Sequence, residues 1–522
     1  TLEFQANYNT RIADDHQLGA LFVFTTSEGN DDEFSASRYK YLFSAINQLY
    51  AGPDKDKDNT GKASENGKIG SVFRLTYNYK EKYMVEANGR IDGSEKFPKS
   101  KRYGFFPSVS AAWRISSEPF MKPLESVLNN LKLRASWGKA GTDEIGRFQY
   151  MSAYGTGKIN DDLTVNNAVF GGQSPEIVLG YSEIRFPNPN ITWETSEMFN
   201  IGIDASLWDS KLTLEADYFY KITRDILRER KDMPGILGYT LPADNVGKVD
   251  NRGIDMNLTY RNSLGDLNYS VNANLTWARN KVIDLLEPAG QKNNPRLRET
   301  GHPMSQMFGY EALGLFQSDE EADNSPQPQF GVAKAGDIKY KDQNGDGIIN
   351  GEDKVAIGKS DYPELVYGLN LSAEYKGFDL QLFFQGAGLT DFYYDGYLAF
   401  PYKEGRGGTL FEHHINNTWT PENKDAEFPR LYYGNNPNNQ EKSSFWVKNG
   451  SYLRLKNIEI GYDFKKSLLS KVNVIQGLRM YVSGSNLFTW SQIKYFDPEL
   501  RSAWGTGYPQ MKTYLMGINI TF

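Results

Sequence analysis

The hydrophobic positions of this chain recur in twos. In Lys512 to Phe522, KTYLMGINITF, Tyr514, Met516, Ile518, Ile520 and Phe522 fall on one side. Thr513, Leu515, Gly517, Asn519 and Thr521 fall on the other. Such alternation marks a strand whose two faces meet different media. About ten residues at strand rise and a steep tilt cross a hydrocarbon layer. The period returns at Leu2 to Tyr8, Leu18 to Phe24, Phe73 to Tyr79, Tyr83 to Ile91, Phe105 to Ile115 and Leu131 to Trp137. It continues at Phe199 to Leu207, Leu212 to Tyr220, Leu365 to Tyr375, Phe378 to Phe384 and Leu478 to Phe488. The clearest pair sets Ile254, Met256, Leu258 and Tyr260 beside Leu267, Tyr269, Val271, Ala273, Leu275 and Trp277, with polar residues at every intervening position of the second run. Between Tyr452 and Phe464 the phase slips: Leu453 and Leu455 are odd, while Ile458, Ile460 and Tyr462 are even. That slip predicts a β-bulge.

About fifteen strands result, and short and long connections alternate between them without exception. Turns are expected at Ala13 to Asp15, Lys80 to Lys82, Trp208 to Ser210 and Lys376-Gly377, with a turn and short helix at Glu118 to Asn129. Loops are expected at Thr26 to Lys68, Gly138 to Pro189, Asn280 to Tyr362 and Gly386 to Lys448. Membrane barrels have short periplasmic turns and long external loops, which sets the C-terminus in the periplasm. The fold class is therefore all-β, a transmembrane antiparallel β-barrel. An even-stranded barrel must begin in the periplasm, so an odd number of strands is expected upstream. The span 1–522 then reads as the C-terminal portion of a longer barrel. A soluble sandwich would have short loops at both ends and a Lys/Glu-rich solvent face; here that face is Asn, Thr, Ser and Gly.

Composition narrows the classes. The 522 residues carry a net charge of -7, and no basic surplus exists to neutralise nucleic-acid phosphates. There is no cysteine, which removes disulfides and thiol catalysis. Mean hydropathy is -0.59. No apolar run approaches the ~18 residues of a membrane helix, yet a barrel strand shows lipid only every second side chain. The 33 Tyr and 30 Phe suit interfacial girdles, where Trp113, Trp137 and Trp277 are also expected. Inward Glu215, Asp217, Asn272 and Gln381 would keep the lumen wet.

Two stretches could carry chemistry. Asp342, Asn344, Asp346, Asn350 and Asp353 stand at positions 1, 3, 5, 9 and 12 of a calcium-type loop, with Gly347 at position 6 and the Ile348 carbonyl at 7. A structural Ca2+ or Mg2+ is expected there, weakened by Asp in place of Glu at the last position. The connection from Gly386 to Lys448 is rich in rings. Tyr393, Tyr394, Tyr397, Trp419, Tyr432, Tyr433 and Trp446 are candidates to face substrate or a partner, since flat rings stack on sugar C–H surfaces. Packing within the loop's own core is the competing expectation for each of them. The histidines, His16, His302, His413 and His414, read as surface loop residues without zinc-ligand spacing. No nucleophile elbow, P-loop or zinc-protease motif occurs.

Several blocks carry a family resemblance: DGSEKFPKSKRYGFFPSVSAAWRI from Asp92, LKLRASWGKAG from Leu131, PNITWETSEMFNIGIDASL from Pro189, GDIKYKDQNGDGIINGEDK from Gly336, NGSYLRLKNIEIGY from Asn449, SNLFTWSQIKYFDPEL from Ser485, and the closing YPQMKTYLMGINITF. In order and spacing they resemble the SusC/RagA family of TonB-linked outer-membrane transporters. Asn449 stands where the family more often has Asp. The resemblance implies a barrel of about 22 strands plugged by an N-terminal domain, which this span lacks. It implies a SusD-like surface lipoprotein as lid, the TonB complex as energy source, and a dimer of transporter–lid pairs as a further assembly. It implies import of nutrient oligomers, oligosaccharides first and oligopeptides as the alternative, rather than a barrel-borne enzyme.

Overall fold

The computed structural model describes residues 1–41, 46–55, 57–156, 167–170, 176–229, 241–402, 410–464, 475–500 and 507–522. Fifteen strands form one sheet, in chain order throughout. They are β1 (Leu2–Ile12), β2 (His16–Arg38), β3 (Lys57–Tyr79), β4 (Tyr83–Ser94) and β5 (Tyr103–Arg114). Next come β6 (Leu128–Thr142), β7 (Glu194–Leu207), β8 (Leu212–Glu229), β9 (Ala243–Leu264) and β10 (Leu267–Asp284). The last are β11 (Leu365–Tyr375), β12 (Phe378–Gly388), β13 (Tyr452–Asp463), β14 (Gly477–Ser491) and β15 (Thr513–Thr521). Each pairs antiparallel with its sequence neighbours, and β1 and β15 are the two edges of this length of barrel wall.

The tight turns have the chirality the wall needs. Lys376 and Gly377 both adopt positive φ (47° and 91°), the primed turn whose twist matches right-twisted strands. Lys80 and Glu81 are also left-handed. The bulge falls inside the predicted slip. Phe383 pairs with Asn457 and Phe384 with Leu455, so Lys456 is the extra residue.

The two faces separate as the alternation requires. Phe4, Leu75, Ile254, Val482 and Met516 are exposed on the outer face, not sandwiched in a second layer. The inner face carries polar ladders. Asn272 of β10 donates to Asn257 and Thr259 of β9, and Ser270 shares a hydrogen with Ser372 of β11. Arg134 of β6 grips Asp204 of β7 at 2.7 Å and reaches over β7 to Asp217 of β8 at 2.9 Å. The reach needs Gly202, where an added Cβ would sit 2.2 Å from an Asp217 carboxylate oxygen. Gly461 of β13 plays the same part under the Arg479–Asp379 pair, which joins β14 to β12.

Several connections depart from expectation. The stretch Thr26 to Lys68 is mostly not loop: β2 and β3 stay paired from Thr26↔Ile69 out to Arg38↔Lys57. Polar residues on both faces concealed this, because a ribbon in water has no apolar side. Glu33 and Lys62 pair across it at 2.7 Å. The connection 143–193 contains small hairpins pairing 153–156 with 181–185 and 167–170 with 176–179. The strict alternation of lengths also breaks. The turn-end connection 115–127 outruns the loop-end connection 95–102. It holds two 3-10 segments, Ile115–Ser117 and Pro119–Leu124, rather than a helix at Glu118 to Asn129, because Pro119 and Pro123 limit its backbone hydrogen bonding.

The largest apolar core lies outside the wall, at the loop end. Tyr310, Ile338, Tyr340 and Ile349 pack against Phe392, Tyr394, Phe400, Phe428 and Trp446, with Ile493 closing the group. The described parts of three connections, 285–364, 389–451 and 492–512, thus fold together as a cap.

Candidate functional site

The cap is organised by one buried carboxylate. Asp337 is wholly buried and accepts from Arg430 Nε at 2.8 Å, Asn439 Nδ2 at 2.9 Å, Asn436 Nδ2 at 3.1 Å and the Lys334 amide at 2.9 Å. Asn439 in turn accepts from the Ile338 amide through its side chain and from the Trp446 indole through its backbone. A buried charge is tolerated when its lone pairs are met in this way. Burial pushes the Tyr340 phenol above its ordinary range, Tyr394 up to about 12, and the Lys448 ammonium down.

A second cluster ties the cap to the wall. Arg454 of β13, only 2 % exposed, points inward. It donates to Asp497 at 2.6 Å, Glu499 at 3.2 Å and Thr489 at 2.9 Å. Lys456, the bulge residue, reaches Glu499 at 3.0 Å. The bulge thereby aims two cations at one acidic loop.

Between cap and wall lies a half-open chamber of about 390 Å³. Its floor is the inner face of the wall, through Gln385 and Ala387 of β12 and Tyr452 of β13. Asp361, Asp391, Phe392, Tyr393 and Glu499 close it from the cap. A much smaller cleft of about 30 Å³ opens in the cap between Phe400, Phe428, Arg430, Tyr432, Gln440 and Trp446. Rings for stacking and amides for hydroxyls or peptide groups meet in both places, and acids line the chamber.

The ring candidates divide. Tyr393 is half-buried and faces the chamber, and Tyr432 lines the cleft. Tyr397 is half-buried and Tyr433 is exposed on the surface. Tyr394, Trp419 and Trp446 are buried, and Trp446, at the cleft, has its indole held by Asn439. His413 and His414 are not surface histidines. His414 is fully buried, and His413 stacks on Tyr495 at 4.1 Å, because aromatic neighbours give the imidazoles apolar contact. His16 belongs to the wall, bonded to the Tyr77 hydroxyl at 2.8 Å.

The 342–353 loop is held by its own backbone. Asp342 accepts from the Gly345 amide at 2.6 Å and the Gly347 amide at 2.8 Å, and Asp346 from the Ile348 amide at 2.8 Å. Asp353, fully buried, accepts from the amides of Gln343 and Asn350 rather than facing Asp342, and Asn350 caps the turn through the Glu352 amide. Among the described residues no three acidic or histidine groups converge as an ion cage. Amide donors, the Gly347 amide foremost, hold the Asp342 carboxyl below its usual range. A depressed folded pKa contributes stability above the unfolded value, lost as pH falls through the folded one. Amide exchange across 342–350, taken relative to the intrinsic rate at each pH, is therefore expected to speed up below about pH 4. The double variant Asp342→Ala, Asp346→Ala should show that fast exchange already at neutral pH, with the wall unchanged.

The polar skeleton was not legible in the sequence. Asp337, Arg430, Asn436 and Asn439 meet across widely separated loop segments, and no spacing announces that. Arg454 did leave a signal: a cation inside an alternating strand, beside the phase slip.

Wall, cap and chamber define an outer-membrane β-barrel receptor. The chain belongs to the TonB dependent receptor-like β-barrel family, whose model matches residues 1–487. It is 32 % identical over 479 residues to TonB-dependent receptor P26 of Formosa agariphila, covering 87 % of this chain and 46 % of that protein. It is 28 % identical over 480 residues to TonB-dependent receptor SusC of Bacteroides thetaiotaomicron, covering 90 % and 45 %. The structure of the RagAB peptide transporter superposes over the whole chain and 55 % of its own, with a TM-score of 0.78 at 24 % identity, a likeness of fold. The chain spans about half the length of the relatives it matches. It resides in the outer membrane of a Gram-negative bacterium.

Proposed function

We propose that the intact protein is an active importer of nutrient oligomers, energised through TonB and closed from outside by a SusD-like surface lipoprotein. The chamber carries this reading. It lies where the cap meets the lumen, and Tyr393, Tyr452, Gln385 and Asp391 offer stacking faces and hydrogen-bond groups to an extended polar chain. Oligosaccharides are the favoured cargo. Oligopeptides are the second reading, the cargo in the name of the RagAB transporter whose fold this chain shares. The test is growth and labelled uptake in a deletion strain offered glycans and peptides, with and without TonB. Loss of growth on a glycan, restored by the intact gene and abolished with TonB, is the expected result. Loss on peptides alone would move the cargo to the second reading, and TonB-independent uptake would refute active import. The assembly proposed is a dimer of transporter–lid pairs, measured by mass photometry of the extracted complex.

The proposal extends to a Ca2+ or Mg2+ ion on Asp342, Asn344 and Asp346, with the Ile348 carbonyl, Asn350 and Asp353 completing the loop. Calorimetric titration is expected to give one site per chain, lost in Asp342→Ala. The absence of binding heat and of any change in loop exchange would leave the loop closed by its own hydrogen bonds.

A further inference from the structure

The connection 115–127, the long one at the turn end, does not hang away from the wall. Its Glu118 is buried, and what buries it are outward-facing rings. Glu118 accepts from the Tyr83 hydroxyl at 2.6 Å and the Trp113 indole at 3.2 Å, with Lys82 Nζ at 3.4 Å. Tyr83 pairs with Trp113 in register, on the same face as Val85, Ala87, Val109 and Ala111. That is the face turned to lipid. Rings continue along it, Tyr79 to Tyr83 at 6.3 Å and Tyr83 to Trp113 at 6.4 Å, both stacked. A carboxylate that meets the turn-end members of this row holds its connection against the rim of the wall's outer face.

The rest of the connection is built for such a place. Phe120, Leu124 and Val127 are 63 %, 50 % and 45 % exposed, with no protein layer over them. Pro119 and Pro123 limit the backbone freedom of the segment, and Lys122 is exposed between the apolar groups. The apolar side chains are continuous with the aromatic girdle, and a cation beside them suits lipid phosphate. Glu118 would be costly at a membrane interface if unpaired; three donors meet it.

We propose that residues 115–127 form an interfacial anchor, with Phe120 and Leu124 seated among the acyl chains of the periplasmic leaflet, Lys122 at its phosphates, and Glu118 clamping the segment to the wall. The 522 residues contain no cysteine, which makes a single-site probe direct. Full-length protein, with any cysteine outside these residues replaced, is labelled at Phe120→Cys with an environment-sensitive fluorophore and placed in phosphatidylethanolamine/phosphatidylglycerol vesicles. An Asp209→Cys probe in the short turn 208–211 is the aqueous reference. Shallow nitroxide lipids are expected to quench the Phe120 probe at least threefold more than the reference, and aqueous iodide to quench it less. Glu118→Ala should move the Phe120 probe toward the reference values. Equal iodide quenching at both positions, with no lipid quenching at Phe120, overturns the anchor. If Phe120→Cys does not fold, as judged by heat-modifiable gel mobility, Leu124→Cys replaces it under the same criteria.

Discussion

Replacing Asp337 by alanine is expected to unfold the cap and leave the wall standing. The variant strands one guanidinium and two side-chain amides that now converge on a fully buried carboxylate. Removing one partner of a buried charge network costs about 3–5 kcal/mol, because the remaining groups stay buried and unmet. Asn436 and Asn439 also fix the turn that carries the Trp446 indole bond, so the loss spreads into the aromatic core. The wall has its own ladder and does not share these groups. Limited proteolysis should cut within 389–451 in the variant while the strands keep their amide protection. An intact cap, with stability within about 1 kcal/mol of the parent, would show that the network is incidental.

The second large effect concerns the other side of the wall. Ile201, in the middle of β7, is 49 % exposed on the outer face. Ile201→Arg sets a charge at mid-depth in hydrocarbon and is expected to cost about 2–4 kcal/mol of folding stability in phospholipid vesicles. Leu264→Arg, beside the turn at Gly265, should cost about 0–1 kcal/mol because the charge reaches the interface. The readout is urea-dependent folding into vesicles. Equal costs at the two positions would mean that the outer face does not meet a graded lipid environment.

Much of the wall was legible because its chemistry is local. A strand with lipid on one side and water on the other must alternate, and Ile254 to Trp277 state the alternation and the turn between them. The slip at Lys456 was visible for the same reason. What was hidden had lost that asymmetry. Asp31, Asp32 and Glu33 look like loop because both faces of their ribbon are wet. Rings were visible in 389–451, but whether a ring faces a chamber, as Tyr393 does, or a core, as Tyr394 does, is decided by packing between distant segments. Glu118 was equally silent. Its partners lie on two other strands, and only the register that brings Tyr83 beside Trp113 gives it a place.

The long β2–β3 ribbon has a consequence for the cell surface. Beyond Lys68 the outer side of β3 pairs with no strand but β2. About a dozen residues per strand at ~3.3 Å each make a mast some 40 Å long. Charged residues such as Lys57, Asp58, Lys62 and Glu65 along the β3 side discourage pairing with neighbouring molecules. Because it shares no side chain with the cap's buried core, substitutions at its tip leave that core untouched. Sequence change in this ribbon is thus uncoupled from the packing that shapes the chamber beneath the cap.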